Sequence, residues 1–162
     1  MSTTRIKIVE SSILLFNNKG LANVRLQDIA EYNDISPGNL TYHFKTKKDL
    51  MEYIIYYMIR KLVEIENTRR ESLKHMSLYK ILRNNLIFLF NYRFFFRDIL
   101  EIINLVPNAK SVYKDVIIIN EKFTTEYINI SIKNGYMKKE AFDGQYRTFA
   151  RNNWAIISSS LT

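Results

Sequence analysis

Turn-forming residues are scarce along this chain, and that scarcity restricts the fold more than any other feature. The 162 residues include only four glycines and two prolines, so long intervals lack the residues that end helices or form tight turns. Of all residues, 47% are hydrophobic, and a chain this apolar must bury much of its surface. The pattern predicts an all-α fold in which helices are joined by short loops.

Three short helices are predicted near the N-terminus. Apolar residues recur at helical spacing from Ile6 to Phe16, and an Asn-Lys-Gly sequence then ends the first helix. A second apolar stripe begins at Leu26 and ends at an Asn-Asp pair. Ser36 supplies an N-cap hydroxyl for a third helix, and Pro37 suits its first position. The three-residue interval between helices two and three is typical of a helix-turn-helix.

Further helices are predicted beyond this segment. Thr46 and Asp49 match a capping box that opens a long fourth helix. A left-handed C-cap is predicted at Gly135. The later helices are predicted over residues 78–92, 94–105, 111–133 and 145–161.

Composition excludes several classes of function. The chain has no cysteine, so disulfides, thiolate nucleophiles and thiolate metal sites are excluded. Its two histidines lie in no known nucleophile or metal motif. We therefore expect no enzyme activity, no metal and no cofactor. The N-terminus resembles an amphipathic helix more than a signal peptide, and no apolar run reaches the roughly 18 residues of a membrane span, so we expect a cytoplasmic protein with no membrane contact.

The net charge of +8 and the pI near 9.6 favour a polyanionic partner. Residues 1–50 contribute only +2 of this charge and the remaining residues contribute +6. Because the excess is spread along the chain, a nucleic-acid interface must be inferred from local geometry.

The predicted third helix has the chemistry of a helix that enters a DNA groove. Pro37 and Gly38 are small enough for close approach, while Leu40 and Phe44 lie four residues apart and face inward. The outward positions carry side chains with the hydrogen-bond donors and acceptors that phosphates and base edges require, namely Asn39, Thr41, Tyr42 and His43. Lysines that attract phosphate follow at the next helix start, namely Lys45, Lys47 and Lys48. The alternative to a DNA-binding helix is an ordinary solvent-exposed helix face followed by surface lysines that bind nothing.

Residues 6–55 resemble the DNA-binding domain of the TetR/AcrR family of bacterial one-component transcriptional regulators. Four segments carry the resemblance: Phe16-x-x-Lys19-Gly20, Asp28-Ile29-Ala30, Ile35-Ser36-Pro37-Gly38-Asn39-Leu40 and Tyr42-His43-Phe44-Lys45-x-Lys47-x-Asp49-Leu50. The resemblance implies an N-terminal three-helix helix-turn-helix domain, residues 1–60, joined through a long helix to an all-helical ligand-binding and dimerisation domain, residues 61–162.

The resemblance also implies roles for individual residues. Positions that match base contacts of family members are Pro37, Gly38, Thr41 and, in helix two, Gln27. Positions that match phosphate contacts are Asn39, Tyr42, His43 and Lys47. Together with Arg25, Ser36 and Lys45, these residues form the predicted DNA-binding set.

Two residues depart from the family pattern. Arg25 stands where a Ser or Thr usually caps helix two, so that cap is lost or replaced, and the arginine becomes a candidate phosphate contact. Thr41 stands where an aromatic residue is common, which predicts shorter base contacts and a different operator.

The C-terminal part is less informative. Aromatic residues that are candidates to line a ligand pocket are Phe88, Tyr92, Phe95, Phe96, Tyr113, Phe123 and Tyr127, although ordinary core packing is the favoured interpretation of each residue taken singly. The family usually dimerises through its last two helices. This sequence ends at Thr162, several turns earlier than typical members, so either the last helix is absent or the chain is incomplete.

Two functions remain open. The first is a ligand-responsive, homodimeric repressor that binds a palindromic double-stranded DNA operator and releases it when a small apolar or aromatic ligand binds. The second is a DNA-binding dimer without a small-molecule ligand, whose C-terminal helices serve dimerisation or bind a protein partner. A ligand-sized cavity with convergent polar groups would favour the first function.

Overall fold

The computed structural model describes residues 3–72 and 78–160, and every regular element in these ranges is an α-helix. The helices are α1 (Thr3–Lys19), α2 (Leu26–Tyr32), α3 (Pro37–His43), α4 (Lys47–Ser72), α5 (Leu78–Asn91), α6 (Arg93–Arg97), α7 (Ile99–Leu105), α8 (Ala109–Lys133) and α9 (Gln145–Ser160). The predicted all-α fold is confirmed. The predicted end of the last helix, Leu161, lies outside the described residues. None of the helices described here is long and apolar enough to cross a membrane.

The chain divides into two compact units, of which the first ends at Ala109 and the second begins at Lys110. The first unit contains α1 to α7, and the second contains α9 and all but the first residue of α8. The boundary predicted near residue 60 is a boundary between two functions and does not coincide with the division into compact units. It stays a prediction.

The core of the first unit forms from the apolar stripes of α1 and α4. Val9 and Phe16 on α1 and Leu50 and Ile54 on α4 are fully buried. Phe16 also packs against Phe94 of α6, with ring centroids 5.5 Å apart. Burial of one such side chain contributes about 3 kcal/mol at most, so these contacts hold α1 firmly against the rest of the unit.

The second unit packs residues of α8 and α9 around a small core. Phe123 and Ile128 on α8 and Ala150 and Trp154 on α9 are buried. The predicted C-cap is confirmed, because Gly135 follows α8 with a φ of +77°. Only glycine adopts this left-handed conformation without a steric penalty.

The single helix predicted over residues 94–105 is wrong, because the structure contains two helices, α6 and α7, that meet at Asp98. This residue leaves helical geometry, with φ −99° and ψ 22°, and is both the C-cap of α6 and the N-cap of α7. Its carboxylate accepts a hydrogen bond from the backbone N–H of Leu21 at 2.8 Å. The break therefore lets Asp98 contact the segment that follows α1.

Candidate nucleic-acid interface

The third helix begins as its sequence predicts. The Ser36 hydroxyl accepts a hydrogen bond from the N–H of Asn39 at 3.2 Å, and Pro37 occupies the first turn, where its missing N–H has no cost. The helix ends at His43, and the N–H of Phe44 donates to the Leu40 carbonyl at 2.9 Å. The result is a two-turn helix with a defined start and end.

The turn between α2 and α3 is held by buried polar contacts. The Asn33 side chain donates to the Ser11 hydroxyl at 2.6 Å and to the Ile29 carbonyl at 2.8 Å. Asp34 takes a left-handed conformation, with φ +54°, which a short polar side chain tolerates. The N–H of Ile35 then donates back to the Ala30 carbonyl at 3.1 Å. Helices α2 and α3 are thus fixed relative to each other and to α1.

One side of α3 is buried and the other is exposed. Leu40 and Phe44 are each 1% exposed, whereas Tyr42 is 85% exposed. The predicted DNA-binding residues that lie exposed are Arg25, Gln27, Ser36, Pro37, Gly38, Asn39, Thr41, Tyr42 and Lys45, and those that lie half-buried are His43 and Lys47. Nearly the whole predicted contact surface is therefore exposed, so these side chains have the access that DNA contact requires.

Several of these exposed side chains also contact their own helix. The Thr41 hydroxyl donates to the Gly38 carbonyl at 3.0 Å. The Gln27 amide donates to the Glu31 carboxylate at 3.3 Å. Because single hydrogen bonds on a solvated surface contribute little net stability, both side chains can exchange these partners for a base edge.

The cap of α2 has been replaced rather than lost. An arginine side chain has no acceptor, so Arg25 cannot bond the N–H groups of the first turn. Instead, the Asp28 carboxylate accepts the backbone N–H of Arg25 at 2.6 Å. The Arg25 guanidinium lies 3.8 Å from the same carboxylate and remains largely solvated, in keeping with its proposed approach to a phosphate.

The capping box that opens α4 is confirmed in both directions. The N–H of Asp49 donates to the Thr46 hydroxyl at 3.1 Å, and the N–H of Thr46 donates to the Asp49 carboxylate at 3.0 Å. This box sets the position of the lysines around it. Lys45 is exposed, and Lys48 forms a solvated ion pair with Glu52 at 3.9 Å.

Lys47 differs from its two neighbours. Its ammonium donates to the Leu21 carbonyl at 2.6 Å and lies 5.8 Å from the centre of the Phe16 ring. Burial lowers the pKa of Lys47, and the negative charges of Glu101 and Asp28 partly oppose that change. The structure therefore directs this amine onto the α1–α2 segment, while its predicted phosphate contact stays a prediction.

Two family models match the chain. One is described as bacterial regulatory proteins, tetR family, and matches residues 8–54. The other is described as a bacterial transcriptional repressor, TetR, and matches residues 57–162. The chain belongs to the TetR family. The resemblance inferred from residues 6–55 is thereby confirmed.

Relatives place the chain among transcriptional regulators. The Probable HTH-type transcriptional regulator YttP of Bacillus subtilis (strain 168) is 25% identical over 146 residues, which are 85% of this chain and 67% of that protein. The HTH-type transcriptional regulator SAR2658 of Staphylococcus aureus (strain MRSA252) is 29% identical over 112 residues, which are 68% of this chain but only 58% of that protein. A crystal structure of a TetR-family transcriptional regulator from Marinobacter aquaeolei VT8 is 26% identical, with a TM-score of 0.73 over 98% of this chain and 78% of that chain.

These comparisons settle the broad class of the protein. The family and the relatives are transcriptional regulators and not enzymes, so this TetR-family chain is a DNA-binding transcriptional regulator. The exposed face of α3 lies in the matched helix-turn-helix region, residues 8–54.

Sequence reasoning missed a polar cluster in this TetR-family chain that we name the α1 clasp, formed by Asn17, Leu21, Arg97 and Asp98. Arg97 donates to the carbonyls of Phe16 at 2.7 Å and Asn17 at 3.1 Å, which lie in the last turn of α1. Asp98 accepts from Arg97 at 2.8 and 2.9 Å and from the Leu21 N–H at 2.8 Å. The α6–α7 junction therefore caps the C-terminal end of α1, whose last carbonyls have no partner within the helix.

The clasp is reciprocal. The Asn17 side chain donates to the Asn91 carbonyl at 2.8 Å and accepts from the Phe94 N–H at 3.0 Å. It thereby joins the end of α5 to the start of α6. The only hint in the sequence was an Arg-Asp pair after an apolar run, because charged residues next to buried ones usually need partners. The partners lie 77 to 81 residues away, so local spacing cannot identify them.

Arg5 is a second residue that sequence reasoning missed. Its guanidinium lies 4.8 Å from the centre of the Phe44 ring and 4.4 Å from that of Tyr53. These cation–π contacts join the start of α1 to the end of α3 and to α4. They add a further restraint on the orientation of α3.

The aromatic residues predicted to line a pocket fall into three groups. Phe88 and Tyr92 line a groove of about 410 Å³ between α1, α4 and α5 in the first unit. Phe95 and Phe96 are buried in that unit and pack edge to face, with centroids 5.5 Å apart. In the second unit, Phe123 is buried, and Tyr113 and Tyr127 are half-buried.

Proposed function

We propose that this TetR-family regulator is a homodimeric, ligand-responsive repressor that binds a palindromic double-stranded DNA operator through α3. The observation that carries the proposal is the division of α3 into a buried side and an exposed polar side, with Leu40 and Phe44 buried and Tyr42 85% exposed. A helix of this kind, held at a fixed angle by α1 and α2, has the geometry of a recognition helix in the major groove.

The proposed contacts follow from chemistry and exposure. Thr41 and Gln27 are the proposed base readers, since a Gln amide pairs with adenine and a Thr offers a hydroxyl and a methyl group. Small residues at the helix tip, Pro37 and Gly38, permit close approach. The proposed backbone contacts are Arg25, Ser36, Asn39, Tyr42, His43, Lys45 and Lys47.

Dimerisation is proposed because α3 spans only two turns, and one such helix supplies too few contacts for specific affinity. A two-fold dimer would set two copies of α3 about 34–36 Å apart, one turn of DNA. The TetR family match supports this arrangement, since family regulators typically act as dimers. We assign DNA binding to residues 1–60, and dimerisation and most of the ligand-binding surface to residues 61–162. Glu10, Ile13 and Tyr57 of the first part also line the proposed ligand groove. We assign the protein to the cytoplasm.

Ligand response is proposed from the groove between α1, α4 and α5. Its volume of about 410 Å³ suits a small organic molecule. Its lining combines apolar side chains, such as Ile13 and Phe88, with polar ones, such as Glu10 and Tyr92. These convergent polar groups favour a ligand-responsive repressor over a DNA-binding dimer without a ligand.

Selection of bound DNA from a random pool tests the proposal. We expect enrichment of an inverted repeat with half-sites one helical turn apart, and light scattering of the complex should give two chains per site. Thr41→Val is the matched variant for sequence reading, since it removes one hydroxyl and keeps the shape. Recovery of unrelated or unrepeated sequences would contradict the proposal. A reporter gene placed behind the selected site should be repressed when the protein is present, and its expression should rise in a strain that lacks the protein.

A further inference from the structure

The groove between α1, α4 and α5 carries an acidic group that DNA contact does not use. Glu10 of α1 lines the groove. Three aromatic residues belong to the same lining, namely Tyr57 of α4, Phe88 of α5 and Tyr92, which follows α5 directly. The Tyr57 hydroxyl donates to the Glu10 carboxylate at 2.9 Å. This bond spans α1 and α4, so the groove contains a direct polar link between the two helices.

The negative charge of Glu10 has no cationic partner among the side chains that the structure describes. Its bonded neighbour, Tyr57, is a neutral phenol. Burial, the bond to Glu10 and nearby carboxylates raise the pKa of Tyr57 to about 12, so the phenol stays protonated at neutral pH. Burial also raises the pKa of Tyr92. Both phenols are therefore neutral, and neither adds charge to the groove.

Lys61 also lines the groove, but its charge is offset. Its ammonium lies 3.0 Å from the Glu64 carboxylate and 5.7 Å from the centre of the Tyr57 ring. Glu64 does not line the groove, but its ion pair with Lys61 leaves Glu10 as the lining carboxylate without an ion pair among the described side chains. The balance of charge favours a positively charged ligand over an anion.

We infer that the groove binds a hydrophobic organic cation, such as an aryl ammonium or phosphonium, with its charge beside Glu10 and its apolar body against Phe88 and Tyr92. This inference rests on the proposed ligand-responsive function and names the ligand class. Aromatic faces attract cations, and the exposed Glu10 carboxylate beside them adds a second, charge-based attraction. Ile13 and Ile87 supply the apolar surface that a hydrophobic cation buries.

Occupation of the groove acts on the link between α1 and α4. A cation beside Glu10 competes with the Tyr57 hydroxyl for the carboxylate and enters the space between the helices. Such a ligand shifts the equilibrium between two α1–α4 spacings toward the one it binds more tightly. The size of the shift cannot exceed the difference in its binding free energy for the two spacings. Because Ser11 of α1 bonds to Asn33 in the α2–α3 turn and Arg5 of α1 contacts Phe44 at the end of α3, we expect a change in this spacing to alter DNA binding.

Two probes of matched shape and opposite charge test the inference. Tetraphenylphosphonium and tetraphenylborate are titrated into the full chain by isothermal calorimetry at fixed ionic strength. We expect the phosphonium to bind about tenfold more tightly than the borate. Glu10→Gln keeps the size of the side chain and should weaken phosphonium binding by about tenfold. Lys61→Gln should leave phosphonium binding equal or tighter and weaken the borate.

Asp115→Asn is the matched control, because it removes the same charge from an exposed residue of α8 that does not line the groove. Equal affinity for both probes, or equal phosphonium affinity in wild type and Glu10→Gln, overturns the inference. An equal loss in Asp115→Asn also overturns it, since the effect would then be one of net charge.

Release of selected operator DNA separates this inference from the proposed function. If phosphonium binds through Glu10 without releasing DNA, the cation site stands and the ligand-responsive function fails. If only the borate binds and releases DNA, ligand response stands and the cation inference fails.

Discussion

Asp98→Asn tests how much the α1 clasp stabilises the first unit. One carboxylate oxygen of Asp98 accepts the Arg97 Nε–H at 2.8 Å, and the other accepts both the Leu21 N–H at 2.8 Å and an Arg97 Nη–H at 2.9 Å. Asparagine keeps one acceptor oxygen and places an NH2 group where the second oxygen was. At least one donor therefore loses its partner and meets another donor.

The expected magnitude follows from burial. The Asp98 side chain is 14% exposed and that of Arg97 is 24% exposed, so the pair is mostly removed from water. A hydrogen bond to a charged group contributes about 1.5–3 kcal/mol, and removal of one partner from a fully buried pair costs about 3–5 kcal/mol. Because some solvent remains and asparagine keeps one bond, we expect a loss of about 2 kcal/mol. For a chain of this length, that loss lowers Tm by about 4–8 °C.

The effect should depend on pH in a defined direction. Burial alone would raise the pKa of Asp98, but the bonds from Arg97 and the Leu21 N–H outweigh it and hold the pKa below its ordinary value. A carboxyl group with a depressed folded-state pKa contributes stability that is fully present above its unfolded pKa, about 3.9. That contribution is lost as the pH falls through the folded-state pKa. The difference in free energy of unfolding between wild type and variant should therefore stay constant from pH 7 to about pH 5 and disappear below pH 4.

Urea unfolding followed by circular dichroism measures the free energy, and amide exchange at Leu21 reports on the clasp itself. The variant should expose the Leu21 N–H to faster exchange. Asp115→Asn, at an exposed site, should stay within about 0.5 kcal/mol of wild type. If Asp98→Asn matches wild type in both stability and Leu21 exchange at pH 7, the clasp does not stabilise the fold and the reasoning is refuted.

Four further variants test the interface. Lys45→Ala should weaken binding to all DNA sequences and reduce the slope of log affinity against log salt by about 0.9, because the variant neutralises one phosphate fewer, as a filter-binding titration would show. Lys47→Ala should give a similar reduction and also lower the urea midpoint, because its ammonium donates to Leu21; an unchanged midpoint would contradict that anchoring role. Ser36→Ala should cost about 1 kcal/mol through removal of the α3 cap, measured by urea unfolding, whereas Thr41→Val should change the consensus selected from a random DNA pool without a comparable decrease in stability.

The helices of the N-terminal region could be predicted because their causes are local. An apolar stripe repeats every three or four residues, and a cap needs a hydroxyl beside the first turn. Ser36 and the Thr46–Asp49 box act as their spacing predicts. The exposed face of α3 follows from the same rule, since Leu40 and Phe44 set which side is buried.

Lys47 shows where such reasoning ends. In the sequence it is one of three clustered lysines, and the family resemblance singles it out as a phosphate contact. In the structure its ammonium reaches Leu21, 26 residues earlier in the chain, while Lys45 stays exposed. The difference arises from how α4 packs beside the α1–α2 segment. No pattern within the lysine cluster encodes that packing.

The α1 clasp also depends on contacts between residues that are distant in the sequence. Any α-helix leaves its last four carbonyls without intrahelical partners, so the sequence predicts that the end of α1 needs donors. It does not predict that Arg97 supplies them, because the α6–α7 break at Asp98 is what brings the guanidinium to the Phe16 and Asn17 carbonyls. Leu21 then lies between two distant side chains, with its N–H on Asp98 and its carbonyl on Lys47. The orientation of the α1–α2 segment therefore depends on residues outside the helix-turn-helix, and substitutions at the α6–α7 junction should change DNA binding without any contact to DNA.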